Sequence, residues 1–327
     1  MTITQLHYVL AVAEFRNFTK AAQKVFVTQP TLSMQVQKFE EELGIKIFDR
    51  TKKPIHLTEV GQKIVTQARN IVNESIRISD IVDQQKGFIG GEFKLGIIPT
   101  VMPTLLPMFL NNFINKYPKV KLRIEEYHTQ EMIDHLRDGT IDAAIAGTPL
   151  KEEDIVERKL YYEPFVGYVP SHHNLHNKEQ LQRDDMVAED ILLLEDGHCF
   201  KNNVLNLCKS DLSMSESKFN LESGSFETLT KLADEGLGIT LLPYMHSLNI
   251  STEAMSNIKQ FEKPQPAREI SMIYHKSGLK IHIIDALNEL ILGVVKGAIA
   301  FEDVEIISPT QDNSLQGQSE VSFEQLR

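Results

Sequence analysis

The sequence predicts an α/β protein with an all-α, winged helix-turn-helix head, a linker helix and a two-lobed effector domain. Three observations indicate this fold class: short capped helices fill the first sixty residues, one heptad pattern follows them, and strands then alternate with helices to about residue 305. We therefore expect a head at residues 1–60, a linker helix with a hinge at 61–90, an effector domain at 91–305 and a disordered tail at 306–327.

The composition of the 327 residues is that of an ordinary globular protein, with 42% hydrophobic and 24% charged residues. No apolar run approaches the ~18 residues that a membrane span needs, and the N-terminus lacks a secretory signal, so we expect no membrane association. Two cysteines in a chain of this length cannot form a disulfide framework, which predicts a cytoplasmic location. The net charge of −11 argues against general polyanion binding, but residues 1–60 alone carry +2.

Three helices are predicted in the head. Apolar residues at helical spacing mark Thr4–Phe15, and a short helix is predicted over Lys20–Val25. Thr28 is a suitable N-cap for a third helix, which ends at Gly44 because glycine readily adopts the left-handed conformation of a C-cap. Two short helices, a turn and a longer helix are typical of a helix-turn-helix unit.

A wing follows, with strands predicted at Ile45–Phe48 and Ile55–Leu57 and a basic turn between them. Polar side chains early on the third helix suit base edges and phosphates in a major groove, and the basic wing suits phosphates. The candidate DNA-binding residues are Thr28, Gln29, Pro30, Thr31, Ser33, Gln35, Arg50, Lys52 and Lys53. The helix pattern alone leaves open a small helical domain with a solvated polar face.

The linker helix carries an apolar seam at alternating spacings of four and three residues. A helix of this length with one apolar stripe is poorly stabilised alone, so we expect it to pair with a second copy of the chain. The candidate dimerisation residues are Ile64, Ala68, Ile71, Ile78 and Val82. The alternative is a helix that packs on its own chain.

The effector domain begins with a βαβαβ alternation, which predicts a parallel sheet with crossover helices. We expect lobe one at residues 91–161 plus 268–305 and lobe two at 162–267. Strands are predicted at Phe93–Ile98, Lys121–Glu126, Gly139–Ala146, Phe165–Val169, Ile191–Leu194, Ile239–Leu242 and Glu269–Tyr274, and helices at Pro103–Tyr117, Gln130–Asp138, Phe226–Glu235 and Lys280–Val295. Ser223–Ser225 is consistent with either an anion site or a simple helix start.

Both cysteines lie in one segment that is predicted to form a short helix from Cys199 onward. Nine helical steps place Cys199 and Cys208 on opposite faces and about 13 Å apart along the axis. A disulfide needs Cα atoms within about 7 Å, so bonding this pair would require the helix to unwind.

Three interpretations of the pair are possible. The cysteines are buried small hydrophobes, or zinc ligands with His172, His173, His176 or His198, or a redox pair in which a cationic His198 and the helix N-terminus favour the Cys199 thiolate. The cysteine spacing fits no compact zinc site, so we expect no metal and no cofactor. The residues alone leave the first and third interpretations equally open.

Four segments of the head match a known family in the same order along the chain, namely Phe18–Ala22, Val27–Ser33, Leu43–Arg50 and Leu57–Gly61. They resemble the LysR-type transcriptional regulators, which implies DNA binding and an effector domain like the periplasmic binding proteins. Met34 stands where many members carry Arg, so no base preference is carried over.

The segment Leu194–Cys199, with Cys208 following, is similar to the sensing segment of the OxyR subfamily of LysR regulators. The segments Gly96–Pro103 and Gly236–Pro243 support this resemblance, which extends over residues 1 to about 300. It implies that Cys199 attacks hydrogen peroxide, that Cys208 resolves the product, and that Thr100, Thr129, His198 and Arg268 form the peroxide pocket. Two positions depart from the usual residues of the subfamily, namely Asn202 and Asn220.

The resemblance therefore predicts a transcriptional activator, not an enzyme, that senses hydrogen peroxide through a reversible Cys199–Cys208 disulfide. It implies binding to double-stranded promoter DNA, a homodimer or homotetramer, and contact with RNA polymerase. One alternative is a LysR regulator that binds a small anionic effector and has inert cysteines. The other is a thiol peroxidase, which would leave the helix-turn-helix unit unexplained.

Overall fold

The computed structural model describes residues 1–85, 89–186, 191–208, 223–278, 280–297, 299 and 304–310. The chain forms two compact units, one built on Met1–Ile89 and the other mainly on Gly90–Leu136, Ile141–Lys276 and the residues from His282. Asn220 lies outside the described residues. None of the helices in the described ranges is long and apolar enough to cross a membrane.

The head contains α1 (Ile3–Phe15), α2 (Phe18–Lys24) and α3 (Gln29–Leu43), as the sequence predicts. The side chain of Thr28 accepts a hydrogen bond from the N–H of Thr31, and Gly44 adopts the left-handed conformation with φ of 68°. Both ends of α3 are therefore fixed by the predicted capping residues.

The wing consists of β1 (Phe48–Asp49) and β2 (His56–Leu57), which pair antiparallel and are shorter than predicted. Ile45–Ile47 is not part of the strand. Instead, the buried carboxylate of Glu40 accepts hydrogen bonds from the N–H groups of Ile47 (2.8 Å) and Phe48 (3.1 Å). These N–H groups bond to α3 rather than to a neighbouring strand.

The linker helix α4 (Glu59–Gln85) divides into two parts, which corrects the prediction of one continuous dimer seam. Ala68, together with Val65 and Val72, is buried in the core of the head, and Ile64 and Ile71 pack against that core. Only the later seam residues Ile78 (66% exposed) and Val82 (45% exposed) are open to a partner, and Ile76 and Ile81 are exposed beside them. The predicted boundary at residue 60 therefore cuts through the packed head.

The second unit begins with the predicted βαβαβ arrangement. Its elements are β3 (Gly91–Ile97), α5 (Met102–Lys116), β4 (Val120–Glu126), α6 (Thr129–Arg137) and β5 (Ala143–Thr148). Strand β3 lies between β4 and β5 and is parallel to both. The third strand starts later than the predicted Gly139, because that glycine has a φ of 64°, which a strand cannot accommodate.

The chain continues through β6 (Ile155–Tyr168), β7 (Gln180–Leu181), β8 (Ile191–Leu192), α7 (Cys199–Leu207), α8 (Phe226–Asp234), β9 (Ile239–Pro243), α9 (Tyr244–Ser247), β10 (Ile258–Phe261), β11 (Gln265–His275), α10 (Ile281–Val295) and β12 (Val304–Ile306). Short 3-10 helices lie at Asn174–Asn177, Arg183–Asp185 and Thr252–Asn257. Strands β6 and β11 pair antiparallel, so the sheet is mixed rather than parallel throughout.

Strand β6 carries the chain from one lobe to the other and is longer than predicted. Residues up to Pro164 pair with β11, and Phe165–Tyr168 pair with β9. The prediction missed Ile155–Pro164 because the charged run at its start lacks a strand's alternation.

The predicted tail begins too early. Strand β12 pairs in parallel with Gln265–Ala267 of β11, and Ile307 is buried in the core of lobe two. Residues 306–310 therefore belong to the fold, whereas 311–327 lie outside the described residues.

Candidate redox site and DNA-binding face

The two cysteines lie at opposite ends of one helix, as the sequence predicts. Cys199 is the first residue of α7, and Cys208 caps its C-terminus by donating its N–H to the carbonyl of Val204. Both are free thiols, and both are buried. Because the helix is intact, its geometry holds the two residues about 13 Å apart along the axis, well beyond the reach of a disulfide.

Cys199 lies against the central sheet. Its Sγ is 3.1 Å from the position that a Cβ would take on Gly147 of β5, so a side chain at this position would have to displace the thiol by a few tenths of an ångström. Cys199 lies in the first turn of α7, where the first backbone N–H groups have no acceptor within the helix.

A buried ion pair lies beside the first turn of α7. Arg268 donates to the carboxylate of Glu163 from Nε (3.0 Å) and Nη2 (2.7 Å), and to Thr100 from Nη1 (2.8 Å, hydroxyl) and Nη2 (3.2 Å, carbonyl). These bonds use four of the five N–H donors of a guanidinium group. The same guanidinium lies 5.1 Å from the ring centre of Phe200, the neighbour of Cys199. Two of the four predicted pocket residues, Thr100 and Arg268, are therefore in direct contact.

The other two predicted pocket residues have unsatisfied polar atoms. Thr129 Oγ1 and His198 Nε2 are buried and have no hydrogen-bond partner within the described ranges. His198 lies with its ring centre 4.6 Å from that of His128. Burial, followed by the proximity of His128, lowers the pKa of His198, while Glu195 opposes this effect. Burial therefore favours the neutral imidazole, which argues against the cationic His198 of the redox interpretation.

Cys208 is held differently from Cys199. It belongs to the core of lobe two, and burial raises its pKa to about 11. Arg183 donates from Nε to the carbonyl of Leu207 (3.0 Å) and from Nη2 to that of Asn206 (3.0 Å), and so caps the end of α7. Its Nη1 contacts Glu305 (2.8 Å) on β12.

The segment 304–310 binds α7 directly, and we call it the C-terminal strap. Asn203 donates to the carbonyl of Ile307 (2.5 Å), and Asn206 donates to those of Ser308 (2.7 Å) and Thr310 (3.2 Å). No sequence pattern predicts these bonds, because about one hundred residues separate the partners.

The predicted DNA-binding residues fall into two groups. Thr28, Gln29, Pro30, Thr31, Lys52 and Lys53 are exposed, and Ser33 is half-buried. Gln35 is half-buried and accepts a long contact (3.4 Å) from Gln5, whereas the Arg50 guanidinium donates to Glu40 (3.0 Å) and lies over the ring of Phe18. Arg50 therefore helps to hold the wing on α3, a role that its basic character did not reveal.

The Ser225 side chain accepts a hydrogen bond from the N–H of Thr228 and caps α8. Ser223–Ser225 therefore serves as the helix start, one of its two open interpretations.

Two family models match the chain over nearly its whole described length. Residues 3–62 match the bacterial regulatory helix-turn-helix proteins of the lysR family, and residues 86–295 match the LysR substrate binding domain. The chain belongs to the LysR family of transcriptional regulators.

Individual LysR relatives match most of the chain. The hydrogen peroxide-inducible genes activator of Dickeya chrysanthemi is 33% identical over 277 residues, covering 84% of this chain and 89% of its own. A cysteine-to-aspartate variant of full-length OxyR from Pseudomonas aeruginosa is 32% identical with a TM-score of 0.76, covering 89% of this chain and 94% of its own. A hydrogen peroxide-bound cysteine-to-serine variant of OxyR from Corynebacterium glutamicum is 26% identical with a TM-score of 0.58, covering 91% of this chain and 93% of its own.

The sequence-based search missed several residues of the site. Gly147 and Glu163 belong to no recognisable sequence motif. A glycine within a strand can nevertheless indicate that another group approaches the backbone closely. Asn203 and Asn206 look like ordinary polar helix residues. Asn202, where the subfamily usually carries Asp, is half-buried on α7.

Proposed function

We propose that this LysR regulator activates transcription in response to hydrogen peroxide through a disulfide between Cys199 and Cys208. One observation carries the proposal: two buried free thiols occupy the two ends of a single helix. A disulfide cannot form while that helix is intact, so oxidation must change the structure of α7. The names of the relatives, peroxide-inducible activators and OxyR, support the choice of oxidant.

The chemistry has two steps. The Cys199 thiolate attacks one oxygen of the peroxide, so an S–O bond forms, the O–O bond breaks and hydroxide leaves to take up a proton. The thiol of Cys208 then attacks the sulfenic sulfur, so an S–S bond forms and water leaves. Two thiols are oxidised and one peroxide is reduced to two waters. The pocket residues Thr100, Thr129, His198 and Arg268 line the region in which we place the peroxide.

In this proposal the oxidised effector domain repositions the DNA-binding heads of a homodimer or homotetramer. Exposed Gln29 and Lys52 then contact promoter DNA, and the bound regulator recruits RNA polymerase in the cytoplasm. The disulfide forms once per chain, since the pair serves as a switch rather than as the active site of an enzyme.

The test is DNA footprinting with the full-length protein, reduced or treated with peroxide, together with mass analysis of the thiols. We expect an altered footprint and one Cys199–Cys208 disulfide per chain in the wild type. Cys199→Ser should give an unchanged footprint. Cys208→Ser should gain one oxygen and stop at the sulfenic acid.

Oxidised wild type without the intramolecular disulfide, or with an unchanged footprint, would refute the proposal. Repeated peroxide consumption with a reductant present and no effect on DNA would instead indicate a thiol peroxidase.

A further inference from the structure

Three potential metal ligands meet beside the redox site. His128 precedes α6, whereas Glu195 and His198 lie in the segment that leads into α7. One ligand atom from each of them lies within 4.8 Å of the other two. Glu195 Oε1 is 3.6 Å from His198 Nε2, which is longer than a hydrogen bond.

Two ring nitrogens of this cluster lack hydrogen-bond partners among the described residues. His128 Nδ1 and His198 Nε2 are both buried, and neither has a hydrogen bond within the part of the chain that the structure describes. The His198 side chain is only 2% exposed. Buried polar atoms are rarely left unsatisfied in proteins, so a partner is expected at this point.

Gly224 packs closely against two members of the cluster. A Cβ on Gly224 would lie 2.9 Å from Glu195 Oε1 and 3.2 Å from His198 Nε2, so a larger residue at this position would crowd both ligand atoms. The Glu195 side chain is 38% exposed, which gives the cluster a route to solvent.

We propose that His128, Glu195 and His198 bind a divalent transition-metal ion, with Zn²⁺ as the best match. Two neutral imidazoles and one carboxylate form a set of three protein ligands that Zn²⁺ commonly takes, with a fourth position for water. Zinc–nitrogen and zinc–oxygen bonds of about 2.0–2.2 Å in a tetrahedron need ligand atoms about 3.3 Å apart. The ligand atoms, which lie within 4.8 Å of one another, therefore have to approach by at most about 1.5 Å.

This site differs from the zinc site that the sequence suggested. The cysteines are not among its ligands, and His128 lies seventy positions before His198, so no local spacing predicts it. A bound ion would connect the loop before α6 to the residue that directly precedes Cys199.

The binding test uses the reduced, full-length protein without a histidine tag, in the absence of peroxide and DNA, so its outcome is independent of the proposed function. Calorimetric titration with Zn²⁺ should give one site per chain. His128→Gln and Glu195→Gln should each weaken binding by roughly 100-fold. His172→Gln, which removes an exposed histidine outside the cluster, should leave the affinity unchanged.

Two further measurements identify the ligands and exclude misfolding. Co²⁺ should give the visible bands of a nitrogen- and oxygen-ligated ion, without the near-ultraviolet band of a cobalt–thiolate bond. Zn²⁺ should raise the Tm of the wild type but not that of Glu195→Gln, whose Tm without metal should equal that of the wild type. Equal Zn²⁺ affinity in the wild type and His128→Gln would overturn the proposal, as would a cobalt–thiolate band that Cys199→Ser abolishes.

Discussion

The Sγ of Cys199 lies 3.1 Å from the point where Gly147 would carry a Cβ. This distance is shorter than an ordinary contact between carbon and sulfur, so an added methyl group must displace the thiol by a few tenths of an ångström. Strand β5 therefore determines where the thiol sits, although it contributes no reactive group.

Gly147→Ala should slow the reaction of Cys199 with peroxide by about 3- to 10-fold, because reaction rates fall steeply when a reacting atom is misplaced. Stopped-flow measurement of disulfide formation tests this prediction. Gly96→Ala is the matched control, since its Cβ would meet Ile141 Cδ1 at the same 3.1 Å but would not touch Cys199. Equal rates in Gly147→Ala and wild type would contradict the prediction.

Removal of the C-terminal strap should weaken α7. A chain that ends at residue 303 loses the hydrogen bonds that Asn203 and Asn206 donate to the strap, and also the Glu305 contact of Arg183. We expect faster hydrogen exchange across Phe200–Leu207 in the reduced protein and disulfide formation accelerated by about 5-fold or more, since each lost bond is worth about 1 kcal/mol, which is a factor of about 5 in rate. A chain that ends at Thr310 is the control, and similar exchange in both truncated chains would count against the role of the strap.

The two parts of α4 should respond differently when a charge is introduced into the apolar seam. Ile78→Asp should dissociate the homodimer without unfolding the head, because Ile78 is exposed within one chain. Ile71→Asp should lower the free energy of unfolding by about 2 kcal/mol or more, because Ile71 packs against the head core. Sedimentation and thermal melting separate these effects. A wild-type oligomer in Ile78→Asp would show that the exposed part of the seam is not the interface.

The DNA-binding face should contain both a specific and a nonspecific contact. Gln29→Ala should cost about 1–3 kcal/mol on the operator alone, as expected for a side chain that reads a base edge. Lys52→Ala should weaken binding to every sequence and reduce the salt slope by about 0.9, as expected for one phosphate contact. Lys38→Ala removes an equal charge from the later half of α3 and should have no effect. Salt-dependent titrations with operator and random DNA measure both effects. An equal loss of affinity for operator and random DNA in Gln29→Ala would contradict its assignment as a base-reading residue.

Cys208 should make stability fall at high pH. Its pKa is raised from 9.0 to about 11, so the folded protein holds the thiol proton more tightly than the unfolded chain. This contribution is complete below pH 9 and is lost as the pH rises toward 11, by roughly 2–3 kcal/mol at most. In denaturant unfolding under reducing conditions, the free energy of unfolding should therefore fall less between these pH values in Cys208→Ala than in the wild type. Identical pH slopes would mean that Cys208 titrates as a solvated thiol.

Local patterns were sufficient to predict the helices of the head and the cysteine helix. Thr28 and Gly44 fix the ends of α3 through bonds within a few residues, and such bonds are visible in sequence. The placement of Cys199 and Cys208 at opposite ends of α7 follows from the spacing of the two residues along a helix.

Long-range pairing was not predictable in the same way. Glu163 and Arg268 face each other across β6 and β11, yet 105 residues separate them. Glu40 belongs to an acidic run in the sequence, and only the packed wing shows that its carboxylate is buried. Residues 306–310 gave no periodic signal because a three-residue strand is too short to show one.

The bonds between the C-terminal strap and α7 also set an order of events during synthesis. Domains fold as the chain emerges from the ribosome, N-terminal parts first. The helix that bears both cysteines is translated about one hundred residues before Ile307 and Ser308, whose carbonyls it binds. In a nascent chain that still lacks these residues, Asn203 and Asn206 have no strap carbonyl to bind. Helix α7 therefore gains these hydrogen bonds only when residue 310 has left the exit tunnel.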